Sequence, residues 1–280
     1  MIRATCSFPP GFLWGTASAA HQVEGDNTNN DWWDWEQQPG RILNGDRSGR
    51  ACEWWVGRWA EDFDRAAETG QKAHRLSVEW SRIEPSPAMW DESALDAYRQ
   101  ILRGALDRGM MPMVTLHHFS SPRWLAEQGG WLADDIVPRF ERFTRKVVSA
   151  LGDLTGLWVT INEPNVLAYS GYAGSDFPPG ARSMPKAIQA LRNMALAHGA
   201  AYRAIHEIQP GALVGLAHHY RGFQPAAEGN PLDAAVARLR HRIFNQTIAR
   251  AVADGRFSML GRTERLTGVA RTQDFFGLNY

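Results

Sequence analysis

Short apolar runs alternate along this chain with longer segments in which apolar residues recur every three or four positions. The short runs are typical of buried strands, and the longer segments are typical of helices that bury one face. Strands are predicted at residues 12–17, 72–80, 111–119, 156–164, 212–220 and 274–280. Helices are predicted at residues 91–109, 134–152, 187–209 and 232–254. This alternation predicts a parallel sheet in a single domain that spans residues 1–280.

Two helical segments define clear faces that should turn toward the sheet. The inward positions are Leu95, Tyr98, Leu102 and Leu106 in the first segment, and Ile136, Phe140, Phe143, Val147 and Leu151 in the second. Gly109 is expected to end the first helix, because glycine readily adopts the left-handed conformation that follows many helices.

Polar residues lie at the end of each predicted strand. They are Gln22 and Glu24, Glu79, His117 and His118, Asn162 and Glu163, His218 and His219, and Asn279. An open, doubly wound sheet that binds a nucleotide would need a glycine-rich phosphate loop, and neither G-x-G-x-x-G nor G-x-x-x-x-G-K-[ST] occurs. In a TIM barrel the carboxyl ends of the strands meet at one mouth, where the active site lies. We therefore predict an α/β fold of the TIM (β/α)8 type, with about six of the eight βα units in this chain.

The segment from residue 25 to residue 52 is long, polar and rich in tryptophan. It falls in the first βα loop, on the side of the barrel where long loops commonly shape a binding site. A mobile insertion and a packed rim both fit its length, and its tryptophans favour the packed rim.

Composition narrows the classes of function. The 280 residues are 44% hydrophobic, which is enough for a large core, and 30 basic residues balance 30 acidic ones. This balance favours neither nucleic acid nor an anionic membrane as a partner. We expect neither a membrane span nor a signal peptide, since the apolar runs are short and the N-terminus has no apolar core. With only Cys6 and Cys52 as cysteines, a reducing cytoplasm is the predicted location.

The stretch V-T-I-N-E-P-N, residues 159–165, carries the main chemical signal. Its β-branched residues end a buried strand, Asn162 and Glu163 follow, and Pro164 stops the strand. A carboxyl group at the end of a strand suits a general acid. A glutamate taken alone is better explained as a helix cap or the partner of an arginine. The polar residues at the other strand ends reverse that preference.

Other chemistries have less support in the sequence. A catalytic metal would draw on the paired histidines, but adjacent strand residues point to opposite faces, and no H-E-x-x-H or spaced Cys/His set occurs. We therefore do not predict a catalytic metal. The G-x-S-x-G elbow of serine hydrolases is also absent.

Cleavage of a glycosidic bond fits the residues at the strand ends. It needs a carboxylic acid that protonates the leaving oxygen and a second carboxylate across the bond. The two lie about 5–5.5 Å apart for retention of configuration and about 6.5–9.5 Å apart for inversion. Asn162, His118 and Gln22 can hydrogen-bond sugar hydroxyls, and tryptophans offer faces on which a sugar can stack.

Five stretches resemble motifs of the β-glycosidases of glycoside hydrolase family 1. They are FPPGFLWGTASAAHQVEG at 8–25, HRLSVEWSRIEP at 74–85, TLHHFSSPRWL at 115–125, TINEPN at 160–165 and FFGLNY at 275–280. The resemblance covers nearly the whole chain and keeps the order of the motifs. It implies a (β/α)8 barrel that hydrolyses β-glucosides or related β-glycosides with retention and without a cofactor.

The resemblance also implies roles for single residues. Glu163 becomes the general acid/base, Asn162 the partner of the sugar 2-hydroxyl, and Gln22 and His118 the ligands of the non-reducing sugar.

Three more residues take roles through their motifs. Asn279 joins the sugar-binding set. Arg75 lies near the nucleophile and keeps it ionised, although an ordinary ion pair at the strand end is the alternative. Tyr280 belongs to the family's N-Y-Y motif, whose second tyrosine contacts the nucleophile.

The chain departs from the family in its second catalytic carboxylate. The family's nucleophile is a glutamate in a T/I-x-E-N-G motif after the seventh strand, and this motif does not occur here. The sequence stops at Tyr280, inside the N-Y-Y motif, so a truncated barrel is expected. Glu79 is a weak candidate for a replacement, since its neighbours Trp80 and Arg82 fit a structural motif.

Two hypotheses follow. In the first, the protein is a retaining β-glycosidase, and a complementing C-terminal segment or a second chain supplies the missing part. In the second, it is a catalytically inactive barrel fragment that binds a ligand or assembles with a partner or with itself through its open edges.

Overall fold

The computed structural model describes residues 7–280, and its centre is a curled sheet of six parallel strands. The described residues form eight strands, of which six belong to this sheet. In chain order they are β1 (Gly15–Ala17), β2 (Ala73–Ser77), β3 (Met111–His117), β4 (Leu157–Asn162), β5 (Leu213–His219), β6 (Arg256–Met259), β7 (Arg262–Arg265) and β8 (Gly277–Asn279). Strands β6 and β7 form a separate antiparallel hairpin. The main sheet has the order β1-β2-β3-β4-β5-β8. Because its strands follow one another in chain order without the reversal of a doubly wound sheet, the predicted barrel fold is confirmed.

The helices lie in the connections between the strands. They are α1 (Ala20–Val23), α2 (Asp31–Glu36), α3 (Trp59–Glu68), α4 (Trp80–Ile83), α5 (Glu92–Asp107), α6 (Arg123–Glu127), α7 (Ile136–Leu151), α8 (Pro164–Leu167), α9 (Met184–Ile208), α10 (Pro231–His241) and α11 (Thr247–Asp254). Single 3-10 turns occur at Leu43–Gly45, Trp54–Val56 and Gly130–Leu132, and π turns at Ala168–Ala173 and Arg242–Gln246. Among residues 7–280, no helix is both long and apolar enough to cross a membrane.

All six predicted strands are present, but each is shorter than predicted. The apolar residues Phe12 and Trp14 precede β1 and are largely exposed. Glu79 does not end β2. It is the N-cap of α4, and its carboxylate accepts a hydrogen bond from Ser81 N. After β2 the apolar run continues because Val78 and Trp80 stay buried once the chain has left the sheet.

The predicted inward face of α7 is confirmed at all five positions, whereas that of α5 needs one correction. Leu106 is 42% exposed, and Ile101 and Ala105 are buried instead. The buried arc of α5 centres on Tyr98, so Leu106 falls at its margin in the last turn. Gly109 follows the helix with φ 72°, as expected for a residue that ends it.

The predicted helix at 232–254 is interrupted. A π turn at Arg242–Gln246 separates α10 from α11, and inside it Asn245 is buried and exchanges hydrogen bonds with the backbone of Arg221. Helix α3 and the β6–β7 hairpin were not predicted from the pattern.

The long first loop is packed in its first part. Asn30 forms an isolated bridge with Pro122, Trp35 is buried, and Trp32 lies edge-on to Phe177 with ring centroids 4.9 Å apart. Most residues from 38 to 50 are exposed. The expectation of a packed rim is therefore confirmed only for the residues up to α2.

Half of the twelve tryptophans are core residues. The buried ones are Trp35, Trp54, Trp80, Trp124, Trp131 and Trp158. Trp80 stacks on Phe143 between the sheet and α7, with ring centroids 4.6 Å apart and planes 17° apart. The high tryptophan content therefore serves mainly the packing of the core.

Candidate active site

Glu163 lies at the carboxyl end of β4, where the strand turns abruptly into α8. Its backbone is left-handed, with φ 45° and ψ 58°, and its N–H donates to Ala217 O at 2.6 Å on the neighbouring strand β5. The pairing of β4 with β5 shifts register between Val159 and Asn162. Register irregularities of this kind re-aim side chains at the rims of barrels. Here the shift directly precedes Glu163.

The carboxyl group of Glu163 has neither of the structural roles considered for it. It forms no cap hydrogen bond to α8, and no arginine in residues 7–280 lies within ion-pair distance of it. Instead Oε1 accepts a hydrogen bond from Asn279 Nδ2 at 2.7 Å and lies 3.5 Å from His219 Nδ1. The side chain is 16% exposed, so it is accessible from the mouth without being a surface group.

Asn162 is the centre of a network that joins four strands. Its Oδ1 accepts hydrogen bonds from Arg75 Nη2 and from Asn279 Nδ2, the latter at 3.2 Å, and its Nδ2 lies 3.3 Å from His118 Nε2. Arg75 is held from its other side by a 2.9 Å hydrogen bond from Nε to Thr115 Oγ1. The structure thus brings Arg75, His118, Asn162 and Asn279 together with Glu163.

Burial keeps the histidine of this network neutral. Burial is the largest cause that lowers the pKa of His118 to about 3, and the charges of Arg75 and His117 contribute to that shift. A neutral His118 Nε2 accepts from the Asn162 amide, which leaves the proton on Nδ1. His118 Nδ1 is buried without a hydrogen-bond partner among the described residues. Burial also lowers the pKa of Arg75, against the opposing charge of Glu163, but a guanidinium stays charged in proteins.

Two predicted site residues stand apart from this network. Gln22 lies in α1 with an exposed side chain, and no hydrogen bond of that side chain is recorded among residues 7–280. Tyr280 is 94% exposed and borders a shallow hollow together with His219. Their assigned roles stay predictions, as do those of the other site residues.

Glu79 is placed for a structural role. It is fully buried, its Oε1 accepts from Ser81 Oγ at 2.9 Å, and its Oε2 accepts from Ser120 Oγ at 2.7 Å. Both oxygens are therefore committed to the support of neighbouring loops, which argues against Glu79 as a replacement nucleophile.

Sequence reasoning missed the support around His219 and Glu163. Asn165 Nδ2 donates to His219 O at 2.8 Å and to Phe244 O at 3.3 Å, so it ties the loop after β4 to the end of β5. The signal for this role was its place in the TINEPN stretch, two residues after Glu163.

The described residues contain no group of three or more His, Cys, Asp or Glu side chains that could hold a metal ion. The expected absence of a metal and a cofactor remains a prediction. At the mouth, the carboxyl group of Glu163 is accessible and is held through Oε1 alone. The amides of Asn162 and Asn279, the imidazoles of His118 and His219 and the guanidinium of Arg75 surround it.

The family model described as Glycosyl hydrolase family 1 matches residues 4–276. The chain belongs to glycosyl hydrolase family 1. This confirms the resemblance of its motifs. It is 33% identical over 244 residues to Beta-glucosidase A of Thermotoga maritima, covering 85% of this chain and 54% of that protein. It is 32% identical over 244 residues to the Cytosolic beta-glucosidase of Homo sapiens, covering 83% of this chain and 52% of that protein. The chain spans about half the length of the curated relatives it matches.

Solved structures of the family superimpose closely on this chain. A beta-glycosidase from Pyrococcus horikoshii matches with a TM-score of 0.89 and 35% identity, covering 98% of this chain and 62% of that chain. A Family 1 b-glucosidase from Thermotoga maritima matches with a TM-score of 0.91 and 30% identity, covering 98% of this chain and 65% of that chain. The six-stranded sheet is therefore an incomplete TIM barrel of the family-1 type.

Proposed function

We propose that this chain is the part of a retaining β-glycosidase that carries the general acid/base, Glu163. The observation that carries the proposal is the fixed, accessible carboxyl of Glu163 at the end of β4, next to the amide of Asn162. Curated relatives of this chain are named beta-glucosidases, which supports a β-glucoside or related β-glycoside as the substrate.

The geometry suits proton transfer to a leaving oxygen. Because Asn279 Nδ2 donates to Oε1 of Glu163 at 2.7 Å, the other oxygen, Oε2, is the one available to a substrate. A positioned carboxylic acid of this kind contributes roughly 10²–10⁴-fold to the rate.

The neighbours of Glu163 suit recognition of a sugar. Asn162 is 1% exposed, and since Arg75 and Asn279 occupy its Oδ1, its Nδ2 is oriented as a donor. The partnerless Nδ1 of His118 is a second donor for a hydroxyl. We place the 2-hydroxyl at Asn162 and a further hydroxyl at His118, with Gln22 and Asn279 as additional sugar contacts.

Retaining hydrolysis also requires a second carboxylate about 5–5.5 Å from the acid. The T/I-x-E-N-G motif that carries the family's nucleophile does not occur in the sequence, and both carboxylate oxygens of Glu79 are committed to serine hydroxyls. We propose that the nucleophile comes from a further segment or a second chain, where Arg75 and Tyr280 would support it.

The test is hydrolysis of an aryl β-glucoside by this chain completed with the segment or second chain that supplies the nucleophile, and by the same assembly with Glu163→Gln. Turnover should fall roughly 10²–10⁴-fold in the variant. The loss should be smaller when the leaving group is 2,4-dinitrophenolate, which needs little protonation. Glu68→Gln, at the exposed end of α3 next to the amino end of β2 and so opposite the mouth, should leave turnover unchanged. Equal losses with good and poor leaving groups would contradict the acid/base role.

A specific observation favours the second candidate, a partner-binding barrel fragment without activity of its own. In the described sheet β1 and β8 each have a neighbour on one side. Large apolar side chains lie beside these edges, with Trp14 57% exposed and Leu278 60% exposed. Exposed strand edges with apolar flanks are sites of association.

Sedimentation at micromolar concentration tests this candidate. Association that weakens in Leu278→Lys and is unaffected by Leu43→Lys, an exposed residue in the first loop, would support it. Strictly monomeric behaviour of the unaltered chain, together with turnover, would contradict it.

For the compartment, we propose the cytoplasm. The support is the presence of only two cysteines, because secreted proteins more often rely on disulfides; Cys52 is exposed and has no disulfide partner within residues 7–280. Cys6 lies outside the described residues.

A further inference from the structure

The imidazole of His219 faces the carboxyl group of Glu163 from the neighbouring strand. His219 is the last residue of β5, and its Nδ1 lies 3.5 Å from Glu163 Oε1. This is the oxygen that also accepts from Asn279. The recorded polar contacts of the carboxyl group within residues 7–280 therefore all reach Oε1 and leave Oε2 toward the mouth.

The backbone of His219 is fixed from two sides. It pairs in register with Asn279 on β8, and its carbonyl oxygen accepts from Asn165 Nδ2 at 2.8 Å. The backbone of Glu163 is fixed to the same strand, because its N–H donates to Ala217 O at 2.6 Å. The distance between the two side chains is thus set by strand pairing and does not depend on a flexible loop.

The ring of His219 is held as well. It stands edge-on to Phe244, with centroids 5.9 Å apart and planes at 89°. Phe244 is itself buried, and its carbonyl oxygen accepts from Asn165 Nδ2. A ring supported in this way presents Nδ1 to the carboxyl at little further cost in conformational entropy.

We propose that His219 is a positioning residue for Glu163, with its Nδ1–H directed at Oε1 so that Oε2 delivers the proton to the leaving group. The inference rests on the proposed acid/base role of Glu163. When Oε2 gives up its proton, negative charge develops on the carboxyl, and a donor at Oε1 binds that form more strongly than the neutral acid. The spacing of 3.5 Å is longer than a formed N–H···O bond, and contacts of this kind tighten when a substrate fills the site.

The proposal fixes the tautomer of His219, because Nδ1 must carry the proton in order to donate. The alternative, a proton on Nε2, would make Nδ1 an acceptor and would leave the carboxylate without this donor. Long-range ¹H–¹⁵N correlation spectra of the histidine-labelled 280-residue protein distinguish the two forms at about pH 8, above the usual titration range of histidine. The His219 signals are assigned by their loss in His219→Asn.

We expect the Nδ1–H form in the unaltered protein and a shift toward the Nε2–H form, the one favoured by free histidine, in Glu163→Ala. His198 is an internal control, because its Nε2 lies 2.6 Å from the carbonyl oxygen of Thr272, which can only accept, and should keep its proton in every variant. Should Glu163→Ala fail to fold, Glu163→Gly removes the same carboxyl and suits the left-handed backbone.

An Nε2–H tautomer in the unaltered protein, or a tautomer that stays Nδ1–H without Glu163, would overturn the proposal. The measurement needs no turnover. The expected tautomers, combined with no effect of Glu163→Gln on hydrolysis by the assembly that supplies the nucleophile, would contradict the proposed function and leave the contact intact, so the two failures are distinguishable.

Discussion

The backbone at Glu163 adopts a conformation that L-amino acids avoid. With φ 45° and ψ 58° it lies in the left-handed region, where a side chain with a Cβ costs roughly 1–2 kcal/mol. Strain of this kind persists where the surrounding structure enforces it, and it clusters at functional sites. Here the N–H bond to Ala217 and the following Pro164 enforce it.

This strain predicts a reversal of the usual order of glycine and alanine. Glu163→Gly should be more stable than Glu163→Ala by about 1 kcal/mol, because glycine adopts positive φ without a steric penalty. At the exposed position Gln100 within α5, the same pair should show the opposite order by about 0.5–1 kcal/mol. Urea unfolding measures both differences. An alanine variant at 163 as stable as the glycine variant would show that the backbone is unstrained.

Asn165 gives a second prediction at the residue scale. It is 4% exposed, and its amide donates to two backbone carbonyls. Asn165→Ala leaves both carbonyls without this donor and should lower the free energy of unfolding by about 1–3 kcal/mol. Asn165→Asp keeps the size but turns carboxylate oxygens toward the carbonyls, so it should be at least as destabilising at neutral pH. If urea unfolding gave Asn165→Asp the same free energy of unfolding as the unaltered protein, this explanation would be wrong.

At the scale of elements, the helix ends differ in how well they are capped. Asp91 caps α5, and its Oδ1 accepts from Ser93 N at 2.9 Å and from Ala94 N at 3.2 Å. Ser183 precedes α9 and makes no side-chain cap hydrogen bond. The two helix starts can therefore be compared within one protein, since one has cap hydrogen bonds and the other has none.

We therefore expect Asp91→Ala to lower the free energy of unfolding by about 1 kcal/mol. Ser183→Ala should change it by no more than a few tenths of that amount, since no cap bond is lost. Chemical denaturation of both variants provides the comparison. Equal losses at the two positions would mean that the cap bonds of Asp91 contribute nothing measurable.

Periodicity predicted the helices that bury one continuous face and failed where tertiary contacts intervene. Helix α7 is predicted in full because its inward residues follow the helical repeat without a break. The segment 232–254 also has a helical repeat, yet the buried amide of Asn245 must meet the backbone of Arg221, and the chain forms a π turn there. No local pattern signals a contact with a residue 24 positions away.

At the scale of the whole molecule, the histidines whose pKa is lowered by burial outnumber the acids whose pKa is raised by burial, and the two groups change stability with pH in opposite directions. Burial lowers the pKa of five histidines to about 3 or 4: His74, His117, His118, His198 and His218. Burial also raises the pKa of Glu24 to about 7 and of Asp31 to about 8. Between about pH 6.5 and pH 4 the unfolded state therefore binds more protons than the folded state, and stability falls as the pH falls.

A single variant tests this balance. In this window, each histidine with a lowered pKa reduces the free energy of unfolding by up to about 1.4 kcal/mol for every pH unit by which the solution is acidified. His117 is 1% exposed and is one such group. In His117→Gln the free energy of unfolding should therefore fall less steeply with falling pH, by up to about 1.4 kcal/mol per pH unit. Urea titrations at several values between pH 6.5 and 4 give the slopes. Between about pH 8 and pH 9 the two slopes should coincide, and identical slopes in the acid window would refute the assignment.

The sequence by itself determined the order and type of most elements, the barrel class and the chemical character of the strand ends. These follow from spacings of two to four residues and from motifs within one stretch, such as the amide and carboxyl pair Asn162 and Glu163. The family could be inferred from the same stretches, because five of them keep their order along the chain.

The tertiary structure alone decided which of these groups meet. Asn279 reaches Asn162 across 117 residues of sequence, and Glu163 meets His219 because β4 and β5 pair in a register that shifts just before the site. It also placed Glu79 in a buried serine-lined site and left Gln22 exposed. The physical reason is that strand register sets these distances. A slip by one residue would turn every side chain of a strand to the other face, and register depends on packing between parts of the chain that no local pattern connects.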